Sequence, residues 1–411
     1  MTLPGPRSRE LSRQLSRRIA EAEAPGINTL SDISSEDAVS LFWQEAEGAH
    51  VRDVDGNLYI DLTSGFGVAA VGHRHPRVVE AVRAQAGRLL HGLGDVHGHP
   101  LRVQLAERLV RLAPVDDAQV FFSISGSEAV EIALKTAIAA TGRTGIVAFE
   151  PSYHGMTMGS LAVTSRPGFR EPFAAHLHGH VRRFPYGSRV ELENMAAVLV
   201  EPIVGREGVI LPPSGWLAEL ARLCREHGAL LIADEIFTGF GRTGRLFAVE
   251  HEGVCPDLLC CGKALGGGMP IAAVLGRRSL FRCWETPGEA LHTATFVAHP
   301  VACAAALAAL DVIEEEDLPA RAARLGERVA DRLARWPGVA IRGRGLLWGV
   351  ELRSAGIAKR WTAAALDRGI ILLAGGPEGR VAQIVPPLTI PEDVLDRALG
   401  ILEQALVETL G

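Results

Sequence analysis

Leu230-Leu231-Ile232-Ala233 is an apolar run closed by Asp234 and Glu235, and downstream Cys261-Gly262-Lys263-Ala264-Leu265-Gly266-Gly267-Gly268 sets a lysine in a glycine-rich bend. A short, uninterrupted apolar run that ends in carboxylates reads as a strand covered on both faces. The same signature recurs at Val120-Phe121-Phe122, Ile146-Val147-Ala148-Phe149, Ala197-Val198-Leu199-Val200 and Ile271-Ala272-Ala273-Val274-Leu275, with helical stretches between the runs. Such alternation predicts an α/β fold, a mainly parallel sheet covered by helices. Three runs end in an acidic residue, Glu150, Glu201 and Asp234. That places carboxylates at the carboxyl edge of the sheet, where open α/β folds bind ligands.

Outside this region the pattern changes. Apolar-polar alternation on either side of Asp55-Gly56-Asn57 predicts a β-hairpin over 49–62. An alanine-rich helix is expected from Pro300 to about Glu316, then an amphipathic helix over 321–336 and strands at 346–352 and 370–373. The expected division is an N-terminal arm and hairpin (1–65), a large α/β domain that carries the sheet edge (66–315) and a C-terminal α+β domain (316–411). The two ends together are expected to form a small lobe.

The 411 residues are enough for two or three domains and a sizeable buried site. Apolar residues at 47% and charged residues at 22% are ordinary for a globular chain, and a net charge of -6 argues against a nucleic-acid surface. Six cysteines without a CxxC pair, and no signal peptide, imply reduced thiols and a cytoplasmic setting. The longest apolar run, 301–310, is about half a membrane span, so no membrane association is expected. Glu10, Glu21 and Glu23 interrupt the basic cluster Arg7, Arg9, Arg13, Arg17 and Arg18, which favours an amphipathic helix packed on a neighbour over a transit peptide.

A lysine amine can form a Schiff base with an aldehyde cofactor, and a buried aspartate can keep a pyridinium nitrogen protonated, so Lys263 and Asp234 together suggest pyridoxal phosphate. In isolation, the pair would look the same as a solvated loop lysine and a helix-capping aspartate. Ser125-Gly126-Ser127-Glu128-Ala129 opens a helix whose unpaired first-turn amides make an anion site, although a plain serine N-cap has the same appearance. Tyr153-His154-Gly155 puts an aromatic just beyond a sheet edge, where it could stack on a planar ring. Gly239-Phe240-Gly241-Arg242-Thr243-Gly244 matches the dinucleotide pattern GxGxxG, but no helix of adequate length follows it. It is read as a loop that shapes the pocket wall. No metal site is expected.

Eight segments, Ser125 to Ala129, Tyr153-His154-Gly155, Glu201-Pro202, Asp234-Glu235-Ile236, Gly239 to Gly244, Gly262-Lys263, Thr295-Phe296 and Pro386-Pro387-Leu388, occur in the order and approximate spacing of a known group. The chain resembles the class III pyridoxal-phosphate-dependent aminotransferases, the 4-aminobutyrate or ornithine aminotransferase group, over nearly its full length. The resemblance implies a fold-type-I homodimer with its active site at the subunit interface. It implies a ping-pong reaction that moves an amino group from an amine or amino acid to a 2-oxo acid. Lys263 would form the Schiff base and shuttle the proton, and Asp234 would pair with the pyridine nitrogen. Tyr153 and Ile236 would sandwich the ring, Ser125, Gly126 and Ser127 would hold the phosphate, and Thr295 would reach it from the partner subunit. His154 and Glu201 complete the implied set, with Glu201 on the substrate side.

The chain also departs from that group. Met156 and Gln383 stand where arginines commonly grip substrate carboxylates, and neither offers a bidentate charged fork. Arg380 is the nearest alternative in sequence. Ile124 and Phe237 replace an asparagine and a glutamine, and Phe237 makes the pocket more apolar. These changes point to a hydrophobic or weakly charged substrate. They also leave open a racemase, epimerase or aminomutase, which would return the proton to the substrate carbon, and a non-catalytic cofactor-binding protein.

Overall fold

The structure, a computed structural model, describes residues 4–16, 41–94, 96–285, 287–288 and 290–411. Its strands are β1 (Trp43–Glu47), β2 (His50–Asp53), β3 (Leu58–Asp61), β4 (Ala118–Ser123), β5 (Gly145–Glu150), β6 (Val181–Pro185), β7 (Met195–Val200) and β8 (Leu230–Asp234). They continue as β9 (Leu258–Cys261), β10 (Ala272–Arg277), β11 (Ala340–Arg344), β12 (Leu347–Glu351), β13 (Ile370–Ile371), β14 (Leu373–Gly375) and β15 (Val381–Ile384).

Seven strands form the main sheet in the order β4-β10-β9-β8-β7-β5-β6. Neighbours from β9 through β6 pair in parallel, whereas β10 is antiparallel to both β9 and β4. The expected mainly parallel sheet therefore contains one reversed strand. Apolar runs such as Ile271 to Leu275 carry burial but no direction, so the reversal left no trace in the pattern. Every residue of β7 and β8 is buried, as expected for central strands covered on both faces. The Gly126–Thr141 helix packs across β7 to β10, and left-handed Gly142 ends it.

The ends of the chain meet. The antiparallel strands β1, β2 and β3 extend into β13, which runs parallel to β3 with Ile370 opposite Ile60. A second small sheet, β11-β12-β15-β14, is antiparallel throughout. The Ala355–Asp367 and Glu392–Leu410 helices pack together, with buried Trp361 donating Nε1–H to the Leu402 carbonyl at 3.0 Å. At the start of the chain, the Asp55 carboxylate accepts the amides of Arg7 (2.7 Å) and Ser8 (2.9 Å) and so fixes the Pro6–Ser16 helix. This helix contains Arg7, Arg9 and Arg13; Arg17, Arg18, Glu21 and Glu23 lie outside the described residues. Among the described residues, no helix is long and apolar enough to cross a membrane. All six cysteines are free thiols.

Candidate active site

Asp234, the last residue of β8, is buried at the carboxyl edge of the sheet. Its Oδ2 lies 2.7 Å from Nδ1 of buried His154, and its Oδ1 accepts the Ile236 amide at 3.1 Å. A proton on Nδ1 completes the first contact, which makes Nδ1–H the tautomer that fits. The opposite ring nitrogen, Nε2, is buried without a partner.

Lys263 follows β9 at a bend that holds it in the left-handed region, φ 44°. Such strain costs on the order of 1–3 kcal/mol and persists only where the surroundings enforce it. Its Nζ sits 4.3 Å from the centroid of the Phe237 ring. Burial lowers the amine pKa to about 8, while Asp234 and Glu201 partly oppose the shift. Glu201 follows β7, and burial raises its carboxyl to about 7. Its two oxygens accept the amides of Tyr153 and Gly205, each at 2.9 Å.

Across the cavity, the Gly126–Thr141 helix points its N-terminus inward. A Cβ on Gly126 would fall 2.8 Å from Ile236 Cδ1, so only glycine lets the backbone lie this close. Gly155, at φ 121°, is tighter still, since a Cβ there would meet Ser127 Oγ at 2.2 Å. Ser127 Oγ accepts the Met156 amide at 3.2 Å.

One cavity of about 200 Å³ gathers Gly126, Ser127, Tyr153, His154, Glu201, Asp234, Ile236 and Lys263, all singled out in the sequence. Two expected residues lie elsewhere. Ser125 does not line the cavity; its hydroxyl caps the helix by accepting the Glu128 amide at 3.3 Å. Thr295 is exposed and does not line the cavity of its own chain.

Three further lining residues were not assigned a role at the cofactor: Gly155, Phe237 and Arg206. The Gly239–244 loop does not line the cavity. Its buried Arg242 donates to the carbonyls of Leu346 (3.1 Å) and Pro386 (2.5 Å), so the loop anchors the C-terminal segment instead of shaping the pocket wall. Arg380 is also excluded as a pocket group, because Glu351 and Glu378 pair with it.

The site residues fit pyridoxal phosphate. The helix N-terminus and the two glycines form an anion cradle, the amine of Lys263 suits an aldehyde, and the buried Asp234 carboxylate suits a protonated ring nitrogen. Among the described residues, no group of three His, Cys, Asp or Glu side chains could hold a metal ion.

Comparison with known proteins agrees with this chemistry. The class III aminotransferase family model matches residues 33–406. An acetylornithine aminotransferase of Methanopyrus kandleri is 45% identical, covering 88% of this chain and 92% of its own length. A 4-aminobutyrate aminotransferase of Mycobacterium leprae is 35% identical, with 98% and 96% covered. The crystal structure of Toxoplasma gondii ornithine aminotransferase, with PLP at partial occupancy, superposes with a TM-score of 0.85 at 32% identity, covering 92% of each chain. These relatives are all aminotransferases and lend no support to the racemase, epimerase or aminomutase reading. The chain belongs to the class III aminotransferases and is a pyridoxal-phosphate-dependent enzyme that transfers amino groups.

Proposed function

We propose that Lys263 and Asp234 are the catalytic residues of this transfer: the Lys263 amine would hold the cofactor through its aldehyde, and the Asp234 carboxylate would face the ring nitrogen. When bound, pyridoxal phosphate supplies that aldehyde and a ring that withdraws electrons from the bond being broken. Burial brings the Lys263 amine to a pKa of about 8, so a usable fraction, roughly a tenth at pH 7 and half at pH 8, is neutral, far more than for a lysine in water. That amine would serve as the base that takes a proton from the donor carbon and as the acid that gives it back. Asp234, held by His154 at 2.7 Å, keeps the ring nitrogen protonated. Gly126 and Ser127 hold the phosphate, Ser125 supports them as the helix cap, and Tyr153 and Ile236 flank the ring. Glu201 fixes the segment after β7 on the substrate side. A 2-oxo acid then takes the amino group in a second half-reaction.

The relatives named for acetylornithine and 4-aminobutyrate suggest a donor with its amine on a primary carbon. We place the protein in the cytoplasm as a homodimer whose partner supplies Thr295. In this reading the described residues of 1–65, together with 316–411, make up the small lobe against the 66–315 domain.

The observation carrying this reading is the convergence of Lys263 and the Asp234–His154 pair on one cavity beside a helix N-terminus. Adding an amino donor without an oxo acceptor should release one oxo product per site and convert the cofactor's visible band. Lys263→Ala should lose the band of the lysine-bound cofactor. An unchanged spectrum in that variant, or isomerisation of an amino acid donor without loss of its amino group, would overturn the reading.

A further inference from the structure

We infer that Arg206 recognises a carboxylate on the substrate, in place of the guanidinium absent at Met156 and Gln383. The inference rests on the transfer role given to Lys263 and adds the chemistry by which the same cavity selects its substrate. Arg206 lines the same cavity as Lys263. Its guanidinium lies over the Tyr153 ring at 4.3 Å and 5.4 Å from the Phe169 ring. Stacking restricts the long side chain and leaves its edge N–H groups available for an oxygen pair. Among the described residues, no carboxylate pairs with it. Its neighbours are committed: Arg166 binds Glu207 at 2.8 Å, and Arg380 is held by Glu351 and Glu378. The cavity therefore contains a half-buried cation with no carboxylate paired to it among the described residues.

Gln383 strengthens the argument. Its Nε2 donates to the carbonyls of Gly205 at 3.0 Å and Arg206 at 3.1 Å, and the Gly376 amide donates to the Arg206 carbonyl at 3.3 Å. Glu201 holds the Gly205 amide at 2.9 Å, and the Glu207–Arg166 pair fixes the next residue. The Arg206 backbone is thus clamped on both sides, and the side chain at 383 serves as a positioning group for the loop. A substrate with an amine at one end and a carboxylate at the other would span from Lys263 to Arg206.

The test compares binding to the holoenzyme of straight-chain carboxylates, butanoate to hexanoate, with the matching primary amides, measured by calorimetry. The wild-type protein should bind the best carboxylate about tenfold or more tightly than its amide, the scale of a charge-assisted pair. Arg206→Met, which keeps an apolar chain against Tyr153, should abolish that preference, and Arg206→Lys should keep part of it. With donors, Arg206→Met should raise KM for 4-aminobutyrate far more than for butylamine. Equal wild-type binding of acid and amide, or a preference that survives in Arg206→Met, would overturn the assignment. Binding needs no turnover, so an error in the role of Lys263 would appear in the Lys263→Ala spectrum and leave the acid-to-amide ratio unaffected.

Discussion

An amine must be neutral to attack an aldehyde, and a lysine in water at neutral pH is almost wholly protonated. Burial at the end of β9 changes this for Lys263, whose pKa falls from 10.5 to about 8. The sign follows directly. As pH rises through 8 the neutral fraction grows and capture of the cofactor accelerates; above 8 the amine is mostly neutral and the rate levels off. Mixing cofactor-free protein with pyridoxal phosphate and following the visible band from pH 6 to 10 should show that bend near 8. A rate that keeps climbing tenfold per pH unit to pH 10 would refute it. Lys263 and Asp234 could be found in the sequence because each closes or follows an apolar run, which fixes both at the sheet edge. Arg206 could not, since a single arginine beside Gly205 and Glu207 has the signature of a solvated loop. The cavity lining and the stack on Tyr153 show that it turns inward.

The anion cradle depends on contacts between elements. The Gly126–Thr141 helix start was evident from its serine cap and helical spacing, whereas the need for glycine at 155 arises from a segment that follows β5. Gly155→Ala would place a Cβ 2.2 Å from Ser127 Oγ at a φ of 121°, and one or both segments would have to move. Strain of about 1–3 kcal/mol corresponds to roughly a fivefold to hundredfold loss of cofactor affinity. Equilibrium titration with pyridoxal phosphate should show a loss in this range while far-ultraviolet circular dichroism stays unchanged; unaltered affinity would mean that the cradle does not bind the phosphate. The Gly239–244 loop shows the limit of pattern reading at this level. Its spacing mimics a dinucleotide site, but buried Arg242 uses the loop to dock the Leu346 and Pro386 carbonyls. Local spacing could not reveal that contact, because its partners are about a hundred or more residues away.

For the molecule as a whole, Thr295 is the residue that its own chain does not explain. Leu90, Leu93 and Phe296 are 62%, 57% and 56% exposed, and the His91 and Phe296 rings, 5.2 Å apart, bring the two segments together. An apolar surface that includes Thr295's neighbour fits contact with a second copy better than exposure to water. In the proposed dimer, each site combines Lys263 of one chain with Thr295 of the other. Thr295→Ala alone should weaken cofactor binding at both sites, and Lys263→Ala alone should prevent covalent attachment at both. A hybrid with one chain of each kind behaves differently. One of its sites pairs an intact Lys263 with the intact Thr295 of the Lys263→Ala chain, and the other lacks both. Co-expressed, differently tagged and purified as the hybrid, it should hold one lysine-linked cofactor per dimer with wild-type affinity. If Thr295 served its own chain, no site in the hybrid would have both groups, and the recovered affinity would be only that of Thr295→Ala.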